Sequence, residues 1–127
     1  MNYQKINNWI GVAVLAISTF VFVSTVEPST SLWDCGEYIA TSNRLEVGHP
    51  PGAPTFMMLG RLISSFSSPE NAAFMINTLS ALSSALTILF LFWTITHLAK
   101  KFVLRNEKEI KNSDVIAIMG AGLVGSL

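Results

Sequence analysis

The sequence predicts an all-α membrane protein in which long apolar helices flank a helical segment outside the bilayer. Half of the 127 residues are hydrophobic and only 13% are charged, whereas ordinary soluble domains carry about a quarter charged residues. Two stretches, residues 10–26 and 72–96, contain no charged residue. Stretches of this length can cross a bilayer as α-helices, which need about 20 mainly apolar residues.

Charge and cysteine content exclude several other classes of protein. The formal net charge is zero, so nothing favours nucleic-acid binding. The single cysteine, Cys35, excludes an internal disulfide, and the spacing of cysteine and histidine predicts no zinc site. The sequence also has no glycine-rich phosphate loop. The lipid bilayer is therefore the partner that composition indicates.

The first apolar segment, from about residue 9 to 26, predicts a transmembrane helix. Trp9 occupies the place of an interfacial aromatic residue, and Lys5 lies just outside the apolar run. A basic start followed by an apolar core is also typical of a cleaved signal peptide. We favour a retained helix, because the core is long for a signal and no clean cleavage site precedes Glu27.

The second apolar segment, from about residue 69 to 99, predicts another transmembrane helix. Ser68 suits the capping position and Pro69 the first helical position. Asn77 and several serines are small polar residues that favour close contact between membrane helices. Residues 115–127 are apolar but too few to span, so we interpret them as the start of a third transmembrane helix in a larger protein.

Positive charges predict the orientation of these helices. Lys5 precedes the first helix, and the segment 100–114 carries five Lys and Arg residues. The segment 27–68 has only two, Arg44 and Arg61, against four acidic residues. Because Lys and Arg accumulate in cytoplasmic loops, we expect a cytoplasmic N-terminus and a cytoplasmic loop 100–114. The segment 27–68 is then an external loop.

Two short helices are predicted within this external loop. The first starts near residues 31–34 and runs to about Val47, where Gly48 ends it and the following prolines prevent its continuation.

The second short helix is predicted from Pro54 to about Phe66, with its apolar residues along one stripe. At ~1.5 Å per residue it is too short to span the bilayer. We expect it to lie in the membrane interface with its apolar side towards lipid.

Asp34 and Glu37 are the strongest candidates for a chemical role in the loop. Three residues apart on a helix, their carboxylates share a face, where each raises the pKa of the other and suits it to proton transfer. The same spacing is a variant of a capping box, with Asp34 accepting from backbone amides. Trp33 is of a type that is often buried, and it is either an interface anchor or an apolar wall beside the acid.

Arg44, His49 and Arg61 are candidates for binding an anionic ligand. The guanidinium group matches phosphate oxygens, and Arg61 on an interfacial helix would lie at the depth of a lipid phosphate. An arginine that reaches ordinary phospholipid is the alternative. The proline that follows His49 restricts the backbone of this residue to extended geometry, so its side chain is expected to have a defined position.

Two motifs in the loop resemble a known family. They are Trp-Asp-Cys-Gly-Glu-Tyr-Ile-Ala at residues 33–40 and Leu-Glu-Val-Gly-His-Pro-Pro-Gly-Ala-Pro at residues 45–54. Together they are similar to the signature of the bacterial protein O-mannosyltransferase-like family, and the resemblance covers about residues 9–98. The family resembles GT-C glycosyltransferases, which have many membrane helices and a catalytic first external loop.

The resemblance implies roles for individual residues. Asp34 matches the acid that accepts the proton of the acceptor hydroxyl, with Glu37 as its partner. His49 belongs to the His-Pro-Pro-Gly element, for which a structural or donor-orienting role is implied. Arg44 and Arg61 are then candidate contacts of the donor phosphate. A divalent metal could bind Asp34 and Glu37, but two acids are a thin ligand set, and we predict neither a metal nor another cofactor.

The implied function is sugar transfer, with mannose as the candidate sugar, from a polyprenyl-phosphate donor to a hydroxyl of an exported protein. The implied location is a bacterial inner membrane crossed several times, with the loop 27–68 in the periplasm. The chain alone is expected to be inactive, because other parts of such sites come from later segments. A noncatalytic lipid-binding or assembly subunit and a transporter fragment are the alternatives.

Overall fold

The structure, a computed structural model, describes residues 2–50, 52–106 and 109–127. Its helices are α1 (Tyr3–Ser24), α2 (Cys35–Arg44), α3 (Pro54–Ser64), a 3-10 turn (Pro69–Asn71), α4 (Ala72–Asn106) and α5 (Asn112–Ser126). These described residues contain no strand, so the all-α prediction is confirmed. Pro51, one of the two prolines that follow His49, lies outside the described residues.

Within the part of the chain that the structure describes, two helices are long and apolar enough to cross a membrane. They are α1, and α4 together with the turn before it, over Pro69–Arg105. Many of their apolar side chains lie on the surface: Phe20 is 74% exposed and Phe90 is 58% exposed. Large exposed apolar surfaces are unfavourable in water and ordinary in lipid. The exposed apolar faces therefore indicate that both helices associate with a membrane.

One compact unit, here called the α1–α5 unit, consists of most of α1, α4 from Ser83 onward, and α5. The buried residues of its core come from all three helices: Val14, Phe92, Val115, Ile118 and Met119. The buried face of α1 repeats every three or four residues, as a helix face requires; its members are Asn7, Gly11, Val14 and Ser18. Small and polar residues on this face let neighbouring helix backbones approach closely.

The second unit, here called the α2–α3 unit, covers residues 23–82. It contains α2, α3 and the first turns of α4, and it buries Ile39, Met57 and Ile76. Gly60 of α3 faces Ser42 of α2 so closely that an added Cβ would lie 2.8 Å from the Ser42 Cβ. This close approach fixes the packing of the two short helices.

The predicted end of α2 is wrong. The helix stops at Arg44 rather than near Val47, and Leu45 adopts a left-handed conformation with φ 55°. The Glu46 N–H then donates to the Thr41 carbonyl at 2.9 Å, which satisfies an orphan carbonyl of the last turn. Gly48 therefore lies in the following loop and does not end the helix.

Helix α3 starts at Pro54 as predicted and ends at Ser64, two residues before the predicted end. Such a difference is ordinary for fraying helix ends. The helix buries Met57, Gly60 and Ser64, whereas Leu62 and the following Phe66 remain exposed. An apolar face is thus left uncovered on this short helix, and an interfacial location remains a prediction.

Gly122→Ala is expected to destabilise the α1–α5 unit. A Cβ at Gly122 would lie 2.6 Å from Thr96 Cγ2 and 2.8 Å from Phe92 Cε2, and both side chains are fully buried. Overpacking of this kind costs about 1–3 kcal/mol. Gly120→Ala is the matched control, because a Cβ there meets nothing within 4 Å. Thermal unfolding of the two variants in detergent tests this prediction, and equal midpoints would contradict it.

Candidate functional site

The start of α2 positions the two candidate acids. Asp34 occupies the N-cap position, and its carbonyl accepts the Tyr38 N–H at 2.9 Å. Its carboxylate makes no capping hydrogen bond. Glu37 lies in the first turn of the helix. The capping interpretation of the Asp34 side chain is therefore wrong, because this carboxylate accepts no hydrogen bond from the backbone amides at the helix start.

His49 closes the site from the other end of the loop. Its backbone N–H donates to Glu37 Oε1 at 2.7 Å, and its ring Nδ1 lies 2.8 Å from Glu37 Oε2. Its other ring nitrogen, Nε2, lies 3.9 Å from Asp34 Oδ2. We call these three residues the acid–histidine cluster. The structure thus brings together both predicted catalytic acids and one of the three predicted donor-binding residues.

Two glycines allow the loop after α2 to bring His49 back to Glu37. Gly52 has φ +71°, a conformation that glycine adopts at no steric cost, and its N–H donates to the His49 carbonyl at 2.9 Å. A Cβ on Gly48 would lie 2.9 Å from Met57 Cε and 3.0 Å from Glu37 Oε1. The backbone at Gly48 therefore lies against the ends of the Met57 and Glu37 side chains, and a Cβ there would press on both.

Each member of the Glu37–His49 pair stabilises the charged form of the other. Hydrogen bonds from the His49 backbone and then from its ring hold the pKa of Glu37 below its ordinary value of 4.5. The hydrogen bond to Glu37, followed by the negative charges of Glu37 and Asp34, raises the pKa of His49 above its ordinary value of 6.5. An imidazolium between two carboxylates is the arrangement that these shifts favour.

The cluster has the composition of a cation site, but few of its ligand atoms are available. One ligand atom from each of the three residues lies within 4.8 Å of the others. Both Glu37 oxygens already accept hydrogen bonds from His49. A divalent ion held without breaking those bonds would have Asp34 and His49 Nε2 as its protein ligands, which is a thin set for magnesium or calcium.

The two predicted arginines lie at the opposite end of α2. Arg44 ends the helix, ten residues after Asp34, and a rise of ~1.5 Å per residue separates them by about 15 Å along the axis. The Arg44 side chain is exposed and lies 3.9 Å from Glu46. The Arg61 guanidinium donates to the Asn43 carbonyl in the last turn of α2. The structure therefore does not bring either arginine to the acid–histidine cluster.

Asn77 of α4 holds the chain on both sides of Asp34. Its Nδ2 donates to the carbonyls of Glu27 and Ser29, each at 2.9 Å. Its Oδ1 lies 3.9 Å from the Cys35 Sγ. In the sequence, Asn77 is an amide within an uncharged apolar stretch. That pattern predicts contact between helices and does not predict that the amide anchors the loop.

An open cavity of about 450 Å³ lies within the α2–α3 unit. Asn77 and Cys35 line it together with mainly apolar side chains of α2, α3 and α4, among them Phe56. The Phe56 ring packs edge to face against Tyr38, with the ring centroids 5.8 Å apart. Sequence reasoning missed this cavity, because it depends on how the three helices pack.

Trp33 does not form an apolar wall against Asp34. Its side chain is 95% exposed, and its backbone has φ 63°, a left-handed conformation that is rare for a bulky residue. The expectation that this tryptophan is of a buried type is therefore wrong. An interfacial anchor is the remaining interpretation, since an indole ring suits the boundary between lipid and water.

Comparisons with known proteins identify relatives of this chain. The family model for the protein O-mannosyl-transferase TMEM260 N-terminal domain matches residues 34–127. The protein O-mannosyl-transferase TMEM260 of Mus musculus is 35% identical over 88 residues, which are 69% of this chain and 12% of the relative. The corresponding protein of Dictyostelium discoideum is 32% identical over 87 residues, which are 66% of this chain and 11% of the relative.

The extent of these matches differs from the sequence resemblance. The family match begins at Asp34, leaves out α1 and continues through α5. The resemblance based on the two loop motifs covers about residues 9–98 instead. The chain spans about a tenth of the length of the curated relatives it matches. No solved structure matches the chain.

Glu37→Gln is expected to lower the pKa of His49 towards its ordinary value of 6.5, because Glu37 is the main cause of the raised value. Proton NMR titration of the His49 ring measures this, with His49→Gln to assign the signal. Glu46→Gln is the control, since Glu46 contacts Arg44 and not the cluster. An unchanged His49 pKa in Glu37→Gln would contradict the assignment.

The pair also predicts how the stability of the loop depends on pH. Because the pKa of Glu37 is lowered in the folded protein, its contribution to stability is complete above pH 4.5. This contribution is lost as the pH falls through the lowered, folded-state pKa. Because the pKa of His49 is raised in the folded protein, its contribution to stability is complete below pH 6.5. This contribution is lost as the pH rises through the raised, folded-state pKa. Resistance of the loop to proteolysis is therefore expected to be highest between these values, and His49→Gln should remove the loss at the alkaline side.

Gly48→Ala is expected to weaken the bond between the His49 backbone and Glu37, because its Cβ would displace Glu37 Oε1 or Met57 Cε. Faster amide hydrogen exchange at His49 measures the loss. Gly36→Ala is the control, since its Cβ would meet Thr30 Cγ2 at an ordinary 3.6 Å. Equal protection of His49 in both variants would show that Gly48 is not needed for the contact.

Proposed function

Because the chain belongs to the family of the protein O-mannosyl-transferase TMEM260 N-terminal domain, we propose that it supplies the acceptor-activating site of a membrane glycosyltransferase. The complete protein transfers mannose from a polyprenyl-phosphate donor to a hydroxyl of an exported protein. The observation that supports this most is the acid–histidine cluster at residues 34–49, which begins at the first residue of the family match.

Asp34 acts as the general base in this proposal. Its carboxylate is half-exposed, makes no capping bond and lies 3.9 Å from His49 Nε2. That separation is too long for a hydrogen bond, and a hydroxyl oxygen fits between the two atoms at ordinary hydrogen-bond distances of about 2.8 Å. The hydroxyl accepts from the Nε2–H of the imidazolium and donates its proton to Asp34.

In the proposed step, one bond to the sugar C1 forms while another breaks. The acceptor oxygen attacks the sugar C1 as its proton moves to Asp34. The bond between C1 and the phosphate oxygen breaks, and the lipid phosphate leaves with the electron pair. Glu37 accepts one hydrogen bond from the His49 backbone and one from its ring, and so fixes the hydroxyl that His49 contacts.

The charge of the cluster supports a role at the acceptor rather than at the donor phosphate. Asp34 and Glu37 carry two negative charges, and protonated His49 carries one positive charge, so the sum is negative and repels phosphate. Arg44 lies about 15 Å from Asp34 along α2, and Arg61 contacts the last turn of the same helix. We propose that they contact phosphates at the membrane surface, with the N-terminus cytoplasmic and residues 27–68 external.

Asp34→Asn in the complete protein is expected to lower mannose transfer by about 10²–10⁴-fold, because a general base contributes that much. The assay measures transfer from a polyprenyl-phosphate mannose to a Ser- or Thr-containing peptide. Glu46→Gln is the control, since this exposed acid contacts Arg44 outside the cluster, and its activity should stay near wild type. Full activity of folded Asp34→Asn, or no transfer by the wild-type protein, would overturn the proposal.

A further inference from the structure

The side chain of Asn77 holds the segment that leads into Asp34. This amide lies in the second turn of α4, and its Nδ2 donates to the carbonyls of Glu27 and Ser29, each at 2.9 Å. Its Oδ1 lies 3.9 Å from the Cys35 Sγ, within reach of the weak S–H donor. One side chain therefore contacts the backbone before Asp34 and the residue directly after it.

A local turn brings the two carbonyls to the same amide. The Glu27 Oε1 accepts from the Ser29 N–H at 3.3 Å and from the Ser29 hydroxyl at 2.8 Å. The residue between them is Pro28, whose ring fixes its φ near −65°. Because this turn is closed by its own bonds, Asn77 binds both carbonyls at a lower cost in chain entropy than in an open segment.

Burial of side chains does not hold this segment in place. All residues from 27 to 34 are exposed. Yet Trp33, whose side chain is 95% exposed, has φ 63°. A bulky residue keeps a left-handed conformation only where the surrounding structure imposes it. Contacts made on either side of Trp33 must therefore impose this conformation.

Two fixed points border the segment. Upstream, Asn77 binds the two carbonyls of the turn. Downstream, Thr30 lies against the first turn of α2, where a Cβ on Gly36 would lie 3.6 Å from Thr30 Cγ2. Because only a few residues separate these points from Asp34, a shift of the upstream point changes the position of Asp34 relative to His49.

We infer that Asn77 is a positioning residue for the general base. It acts through the backbone, by holding the segment that ends at Asp34 so that the carboxylate stays 3.9 Å from His49 Nε2. That gap is the place of the acceptor hydroxyl, so the inference rests on the proposed function. A displacement of about 1 Å in such a group can lower a rate by about 10²-fold.

Asn77→Asp tests the inference in the complete protein, because an ionised carboxylate keeps the shape of the amide and cannot donate to the two carbonyls. The kcat for mannose transfer is expected to fall by about 10²-fold, whereas the KM for the acceptor peptide stays near wild type. Asn71→Asp is the matched control, since this exposed amide donates to Ser68 Oγ within its own turn. Its kcat should stay near wild type.

A double variant separates positioning from a general loss of structure. If Asn77 acts through Asp34, adding Asn77→Asp to Asp34→Asn should lower the residual activity by less than about twofold, because residues that act as a unit are not additive. Amide hydrogen exchange at His49 should stay slow in Asn77→Asp, since its N–H is bonded to Glu37 of α2.

The outcomes distinguish this inference from the proposed function. Wild-type kcat in Asn77→Asp, an equally large further loss in the double variant, or fast amide exchange at His49 in Asn77→Asp would overturn the inference. If Asp34→Asn is inactive and Asn77→Asp is fully active, the proposed function stands and only the inference fails. If folded Asp34→Asn is fully active, both fail.

Discussion

The candidate site depends on one contact, in which the Glu37 carboxylate accepts from both the backbone and the ring of His49. This contact joins the first turn of α2 to a residue twelve positions later, so it closes the loop that follows the helix. It also fixes the orientation of the imidazole, because one ring nitrogen is engaged and the other is left towards Asp34. A carboxylate that binds a histidine in two ways positions it better than one hydrogen bond does.

Part of this arrangement could be predicted from the sequence. Asp34 and Glu37 are three residues apart at a helix start, so a shared face follows from helical geometry. The contact with His49 could not be predicted, because it requires Leu45 in a left-handed conformation. Leucine gives no signal for that conformation, unlike glycine or asparagine. The sequence pattern therefore favoured glycine as the helix end and extended α2 too far.

The long helices were predictable for a different reason. Uncharged apolar stretches of sufficient length predict spanning helices from composition alone, and two helices among the described residues meet the same criteria. Contacts between helices and loops leave no comparable pattern in the sequence. The anchoring of Glu27 and Ser29 by Asn77 and the notch at Gly11 that receives Trp93 depend on packing between residues far apart in the chain.

Helix α2 separates charge along its short length. Glu37 lies in its first turn and Arg44 in its last, each at the end where the helix dipole stabilises its sign of charge. The acids thus lie at one end, beside His49, and the arginines lie at the other. A single ten-residue helix therefore presents an acidic end and a basic end.

The exposed indole of Trp33 gives the protein a spectroscopic probe in a useful place. The ring is 95% exposed and belongs to the residue directly before Asp34. Indole emission depends on the polarity around the ring, so a lipid chain or a polypeptide that covers this position changes its wavelength. Once Trp9 and Trp93 are replaced by phenylalanine, occupation of the neighbourhood of Asp34 can therefore be followed by intrinsic fluorescence, without attaching a label to the protein.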